Sequence, residues 1–383
     1  MNIPFHKPYI TKDEILAVND VLKKGWLTMG PKTVEFENAF KGYIGSRCAI
    51  AMNSCTAALH LALEAIGLKK GDEVIIPVVT FPATSEVVCY FKAKPVFVDI
   101  ERDAHNIDIS KIEEKISSKT KAIIPVHYGG QPADLDEIEK IAKRYHFFMI
   151  EDAAHALPAW YKDRKVGTIG DMTCFSFYAT KPLACGEGGM VTTENKNWAK
   201  RIKIMRLHGI SKDAWKRYSK QDSWFYEVVT PGFKYNMTDI QAALGLAQLE
   251  KLEYTWQKRR EIAKKYTEAF RDIQEIITPV VKDQRINAWH LYAIKLFLEK
   301  LKIDRNQFIK ELKNAGIDTS VHFIPLHIHS YYRKTFGYKK GDFPAAEDVF
   351  KRMVSLPIYP GMVEKDLLYV IKAVKKIVKK FKR

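Results

Sequence analysis

Short apolar runs alternate along this chain with longer stretches in which apolar residues return every third or fourth position. The runs Cys48–Met52, Glu73–Pro77, Pro95–Asp99, Lys121–Val126, Phe147–Ile150, Met172–Tyr178 and Met190–Thr193 read as strands buried on both faces. Between them the spacing predicts helices opening at Asn53–Leu59 and at Thr80–Thr84, and over Ser110–Ile116, Leu135–Arg144 and Asn197–Leu207. Strands alternating with helices predict an α/β fold with a mostly parallel, doubly wound sheet. Ahead of it, Lys12–Leu22 is an amphipathic helix, with Thr11 and Glu14 at capping-box spacing. Gly25–Pro31 breaks the period and predicts a loop. A long helix is expected from Thr238, then one over Leu252–Phe270. Beyond it the pattern predicts strands at Trp289–Leu296 and Asp318–Phe323, a helix over Arg305–Ala315 and a helical tail from Glu364. This suggests a large domain over 1–250 and a smaller C-terminal α/β domain over 251–383. His208–Glu227 has no clear period, and so long a stretch favours a functional loop.

Composition narrows the picture. A chain of 383 residues, 46% of them hydrophobic, can bury more than one core. It has no apolar run long enough to cross a bilayer and no signal-type N-terminal stretch. The five cysteines show no CxxC spacing, which favours a reducing compartment. A soluble, cytoplasmic protein is expected. The net charge is +17, and Lys372, Lys375, Lys376, Lys379, Lys380, Lys382 and Arg383 carry seven of those charges. Val370, Ile371, Val374, Ile377, Val378 and Phe381 recur among them at helical spacing, so the tail reads as a packed helix with its lysines outward. No nucleic-acid motif is present, and neither nucleic acid nor membrane is expected as a partner.

The chemistry concentrates in His146–Val191. The strand at Phe147–Ile150 ends in Glu151 and Asp152, at the carboxyl edge where open α/β sheets bind ligands. A second strand leads to Lys181, and Gly186-Glu187-Gly188-Gly189 turns the chain into a third. An acid and a lysine so placed suit pyridoxal phosphate, with the lysine as its Schiff-base partner and the aspartate holding the pyridine nitrogen protonated. An ordinary Asp cap and a surface lysine explain the pattern equally well. The helix start at Asn53–Leu59 offers free N–H groups to a phosphate, although Ser54 or Thr56 as a plain N-cap accounts for it too. His322, His327 and His329 cluster, but no acid or cysteine completes a zinc spacing.

The blocks EDAAHA (151–156), SFYATK (176–181) and GEGG (186–189) resemble the active-site signature of the DegT/DnrJ/StrS nucleotide-sugar aminotransferases. GWLTMGPKTVEFE (25–37), IPVHYGGQPADLDEI (124–138), TPGFKYNMTDIQAALGLAQLEKLE (230–253) and HFIPLH (322–327) extend the likeness in family order. The subgroup most similar is the UDP-4-amino-4-deoxy-L-arabinose–oxoglutarate aminotransferases. The resemblance implies a PLP-dependent transferase of fold type I, aspartate aminotransferase-like, with a seven-stranded sheet and a smaller C-terminal domain. It implies pyridoxal phosphate held by Lys181, with Asp152 on the pyridine nitrogen and His155 at the phenolic oxygen. Phe81 would stack on the ring, and Thr56, Ala57 and Ser176 would bind the phosphate. Asn236 would reach the phosphate of a neighbouring subunit, which requires a homodimer with shared sites. The resemblance sets Trp26 and Thr28 near the substrate. Tyr235, His322 and His327 are further candidate substrate contacts, a plain loop histidine being an equal reading of the last two, and His127 and Tyr128, which close the strand at Lys121–Val126, are candidates for the border of the site. Cys55 stands where many members have Gly, and Tyr178 where His is frequent. The implied reaction passes an amino group from glutamate, leaving 2-oxoglutarate, to a UDP-linked 4-keto sugar for cell-surface glycan or lipopolysaccharide synthesis. A 3-keto or dTDP-linked substrate, and a non-catalytic regulatory homologue, are the alternatives. No metal is implied.

Overall fold

Seven strands build the main sheet of the structure, a computed structural model that describes residues 2–211 and 226–383. They are β1 (Cys48–Met52), β2 (Glu73–Pro77), β3 (Lys94–Val98), β4 (Thr120–Ile123), β5 (Phe148–Asp152), β6 (Met172–Ser176) and β7 (Gly189–Thr193). Their order is β1-β7-β6-β5-β4-β2-β3. The pairs from β3 through β6 are parallel, and β7 runs antiparallel to both β6 and β1. The apolar runs are buried on both faces because helices cover both. Leu59, Leu61 and Leu63 of α3 (Cys55–Ala65) pack on Ile50, Ile76 and Ile150, in one cluster with Val87 and Val88 of α4 (Pro82–Tyr90) and Ala199 and Ile202 of α6 (Lys196–Met205). Leu135 and Ile138 of α5 (Leu135–Tyr145) pack with Ile75, Ile123 and Met149. The parallel strands share a direction, so β5 and β6 deliver Asp152 and Ser176 to one edge.

Thr11 and Glu14 form the expected capping box on α1 (Lys12–Lys24). Helix α2 (Pro31–Ile44) begins at Gly30, which has no side chain to cap it. Asp239, the first residue of α7 (Asp239–Glu250), supplies the missing acceptor. Its Oδ1 accepts from the N–H groups of Gly30 (2.8 Å) and Thr33 (2.9 Å) and from Thr33 Oγ1 (2.7 Å), and its Oδ2 from Lys32 N–H (3.0 Å). The Trp26–Met29 loop is thereby tied to the turn that carries Tyr235 and Asn236.

A second hydrophobic cluster gathers α8 (Leu252–Phe270), the short sheet formed by Ile276–Ile277, Tyr292–Leu296 and Met353–Leu356, and the helices Arg305–Asn314 and Glu364–Phe381. Ile3 of the N-terminal segment packs into it. The tail is the expected helix, burying Leu367, Val370, Ile371, Val374, Ile377 and Val378. Among the described residues no helix is long and apolar enough to cross a membrane.

Three expectations fail. Ser110–Ile116 is not a helix but two 3₁₀ turns, Ile109–Lys111 and Glu113–Lys115. Asp108 Oδ1 accepts from both Ser110 N–H (3.1 Å) and Ser110 Oγ (2.6 Å), and such a local side-chain bond competes with helix formation. Asp318–Phe323 is not a strand: it meets the sheet at a single bridge, Ser320 to Ser355. Side chains hold it instead, with Tyr128 Oη donating to the His322 carbonyl and His322 Nδ1 lying 2.9 Å from Ser355 Oγ. The stretch predicted as a strand to Val126 is β4 only as far as Ile123. A hairpin, Trp160–Tyr161 with Arg164–Lys165, joins Arg285–Ile286 in a second small sheet that the pattern did not announce.

Candidate active site

The carboxyl ends of β5 and β6, the start of α3 and the segments around His290 and His322 enclose a cavity of about 450 Å³. Successive strand residues face opposite sides, so the neighbours Glu151 and Asp152 part company. Glu151 is wholly buried away from the cavity, where it accepts from Gly170 N–H (2.7 Å) and Thr173 Oγ1 (2.8 Å) and lies 2.9 Å from His127 Nε2. His127 Nδ1 accepts from Ala133 N–H (3.1 Å), so the proton sits on Nε2 and is donated to Glu151. His127 is a strut of the sheet, not a border of the site.

Asp152 lines the cavity, buried, with two partners. Its Oδ1 accepts from Ala154 N–H (3.1 Å) and its Oδ2 from Thr84 Oγ1 (2.7 Å). Thr84 gives its hydrogen to the carboxylate, so at 2.7 Å its oxygen accepts from Thr80 Oγ1. Burial raises the Asp152 carboxyl above its ordinary range, while the Thr84 and Ala154 bonds and the Lys181 charge oppose that rise. Lys181 shares the cavity. Burial lowers its ammonium to about 8, against the opposing pull of Cys55 and Asp152.

Histidines surround the lysine. Lys181 Nζ lies 3.4 Å from His290 Nε2. The His290 ring is 4.4 Å from that of His155, which stacks 5.8 Å from Phe323. Gly129 N–H donates to His155 Nδ1 (3.3 Å), leaving Nε2 as that ring's protonated nitrogen. Burial and then the Lys181 charge push His155 and His290 well below their ordinary value and His322 to about 4. All three are neutral at physiological pH.

On the α3 side, Ser54, Cys55 and Thr56 line the cavity. Ser54 Oγ accepts from Ala57 N–H (3.1 Å), so that N–H is taken and Ala57 lies off the cavity. Ser176 Oγ accepts from Tyr178 N–H (3.3 Å), which leaves its hydroxyl hydrogen to give. A Cβ on Gly189 would stand 2.4 Å from the Ser54 carbonyl oxygen, so only glycine lets β7 pass this close to the helix start. Phe81 is 59% exposed at the rim and meets Phe323 edge-on at 6.0 Å.

Thr56, Phe81, Asp152, His155, Ser176, Lys181 and His322 therefore come together, and Ala57 does not. Trp26, Thr28, Tyr235 and Asn236 lie outside this chain's cavity. Tyr235 Oη is 3.2 Å from His60 Nδ1, and Asn236 Nδ2 donates to Met237 O (3.3 Å). His327 is wholly buried, its Nε2 2.9 Å from Glu347 Oε1, and offers no surface to a substrate. Of the long loop His208–Glu227, residues 212–225 lie outside the described residues. Thr84 and His290 are additions. Thr84 carried a faint signal, a second threonine four residues after Thr80 in the first helical turn; His290 carried only its place just before an apolar strand.

Residues 8–375 match the DegT/DnrJ/EryC1/StrS aminotransferase family. The chain belongs to that family. As a DegT/DnrJ/EryC1/StrS aminotransferase it is 57% identical to a Methanocaldococcus jannaschii protein, MJ1066, over 376 residues, which cover 98% of this chain and 97% of that one. It is 50% identical over 378 residues to the Bacillus subtilis spore coat polysaccharide biosynthesis protein SpsC, again 98% of this chain and 97% of that one. Among solved structures it resembles a sugar aminotransferase of Streptococcus pneumoniae, Spr1654, in its PMP form, with a TM-score of 0.93, 35% identity and 99% and 100% of the two chains covered. PseC of Helicobacter pylori, an aminotransferase of pseudaminic acid biosynthesis, superposes with a TM-score of 0.92 at 29% identity over the whole of both chains. Fold type I follows, and so does pyridoxal phosphate as the cofactor. The residues here fit that group: a single buried carboxylate and a half-buried lysine face one cavity, beside a helix start and a serine hydroxyl able to receive a phosphate.

Proposed function

We propose that this aminotransferase passes an amino group from glutamate to a UDP-linked 4-keto sugar, leaving 2-oxoglutarate and a 4-amino sugar nucleotide for cell-surface glycan synthesis. The observation that carries the chemistry is the pairing of Lys181 with the buried Asp152 in one cavity. The names of SpsC and PseC support a sugar as the acceptor. Bound pyridoxal phosphate supplies an electron sink. Asp152 would hold a proton at the pyridine nitrogen, and the Thr84 hydrogen bond favours the ionised form of Asp152. Lys181 Nζ is the covalent anchor and, as a free amine, takes a proton from the reacting carbon and returns it nearby. Its value of about 8 leaves a working share unprotonated near neutral pH. The start of α3 at Cys55 and Thr56, with Ser176, would receive the phosphate. Phe81 would cover one ring face, and His155 Nε2 would donate to the phenolic oxygen. His322 faces the substrate side.

Trp26, Thr28, Tyr235 and Asn236 complete the site of a neighbouring copy in this reading, which makes a homodimer the active unit. What supports it is the Asp239 clamp, which holds those residues as one piece outside their own cavity. The test has two arms. Borohydride reduction with peptide mapping is expected to leave the pyridoxyl group on Lys181, and another lysine would overturn the assignment. Assays with glutamate and UDP-4-keto-pentose, UDP-4-keto-6-deoxyhexose and dTDP-4-keto-6-deoxyglucose in parallel are expected to favour a UDP sugar. Preference for the dTDP sugar, or amination at C3, would refute the substrate and leave the aminotransferase standing.

A further inference from the structure

Among the described residues, the only hydrogen-bond partner of Lys181 Nζ is His290 Nε2, at 3.4 Å. An ammonium has only hydrogens to give, so Nε2 is the acceptor and the imidazole proton sits on Nδ1. Nδ1 is buried with no partner among the described residues, on a ring that lines the cavity. The aim of that ring is fixed from behind. His290 follows Trp289, whose φ of 52° turns the chain, and Arg259 reaches the same turn from α8. Arg259 is wholly buried, and its Nη1 donates to the carbonyls of Trp289 (3.3 Å), His290 (3.5 Å) and Ile358 (2.9 Å).

We propose that His290 is a positioning residue for Lys181: it accepts one N–H of the free amine and thereby turns the lone pair into the cavity. The proposal rests on the reading of Lys181 as the proton carrier. A free amine has two N–H bonds and one lone pair, and among the described residues no other hydrogen-bond partner restrains its rotation about the last C–N bond. With one N–H held by Nε2, the lone pair is kept off His290 and left to the cavity side. The proton balance involves the lysine alone. The NH₂ takes a proton from the reacting carbon, becomes NH₃⁺ still donating to Nε2, and gives the proton up at the next acceptor. His290 neither gains nor loses a proton. Burial keeps it neutral, as do the charges of Lys181 and Arg259 and the neighbouring His155 and His322. The other groups that face Lys181 are Cys55 at the start of α3, Asp152 at the end of β5, and His6 of the N-terminal segment.

Three forms of the full-length chain test this: wild type, His290→Leu and His290→Gln, whose amide oxygen can still accept. In the cofactor-free chain, competitive acetylation with peptide mass spectrometry reads the titration of Lys181. Wild type should titrate near 8. Loss of an acceptor from a half-buried ammonium should lower that by about one unit in His290→Leu, and His290→Gln should restore most of it. In the loaded enzyme His290→Leu should lose about 100-fold in kcat with little change in KM, and His290→Gln should recover part of the loss. A Lys181 titration that stays put or rises in His290→Leu overturns the proposal, whatever the activity does. If borohydride mapping puts the cofactor on another lysine, the reading of Lys181 itself falls. If it marks Lys181 and the titration is still unmoved, only the role of His290 falls.

Discussion

Replacing Thr84 by valine should move the acid limb of the pH–rate profile upward. The change keeps the shape of the side chain and deletes the hydroxyl that donates to Asp152 Oδ2 at 2.7 Å. Asp152 is then left, buried, with the Ala154 N–H as its one hydrogen bond among the described residues. A hydrogen bond to a charged group is worth about 1.5–3 kcal/mol. At about 1.4 kcal/mol per pH unit, the carboxyl should rise by roughly one to two units. It already stands above its ordinary range because of burial, so a further rise takes part of the population out of the ionised form that the proposed role of Asp152 requires. The assay is kcat/KM against pH for wild type, Thr84→Val and Thr84→Ser. The acid limb should climb in the valine variant and stay in place in the serine one. Stability carries the same sign. A raised carboxyl means that the folded chain binds more protons than the unfolded chain, so stability falls as pH rises from the ordinary carboxylate range through the raised value. Thr84→Val should widen that window. An acid limb unmoved in Thr84→Val would refute the claim that Thr84 sets the charge of Asp152.

Lys181→Met should stabilise the cofactor-free chain at neutral pH by up to about 3 kcal/mol, the equivalent of the fall from 10.5 to about 8. Wild-type stability should rise with pH across that interval, because there the folded chain has shed a proton that the unfolded chain retains; the variant's advantage in urea midpoint should fade over the same range. Asp239→Ala should cost about 2–4 kcal/mol in denaturant unfolding, since it strips acceptors from three N–H groups at the start of α2. Mixing Lys181→Ala with an Asn236→Ala variant should restore activity above either parent through dimers carrying one intact site; no recovery despite proven subunit exchange would argue against shared sites.

The strands of the main sheet were legible because both their faces are apolar, and Cys48–Met52, Glu73–Pro77 and Leu252–Phe270 have the bounds that the pattern suggested. Asp152 and Lys181 were legible for a related reason: a charged residue just after a buried strand has few places to go but the sheet edge. Asp318–Phe323 misled because its alternation has the strand period, yet Tyr128 and Ser355 satisfy its polar groups in place of a ladder. His290 was invisible because its aim comes from Arg259, far away in sequence, and from a turn at Trp289 that no local pattern marks. His327 misled in the opposite sense: a histidine in a promising block turned out to serve Glu347.

The contact between Gly189 and Ser54 bears on how such an enzyme can diverge. Any side chain at Gly189 would strike the carbonyl that begins α3, and the helix start would have to retreat from the cavity. That position is closed to drift, however much the acceptor sugar changes. The rim is different. Tyr178 is exposed there, so a replacement changes the surface of the cavity mouth rather than its backbone. Substitution is therefore cheap at the edge of the cavity and costly at the strand-to-helix junction that forms its wall.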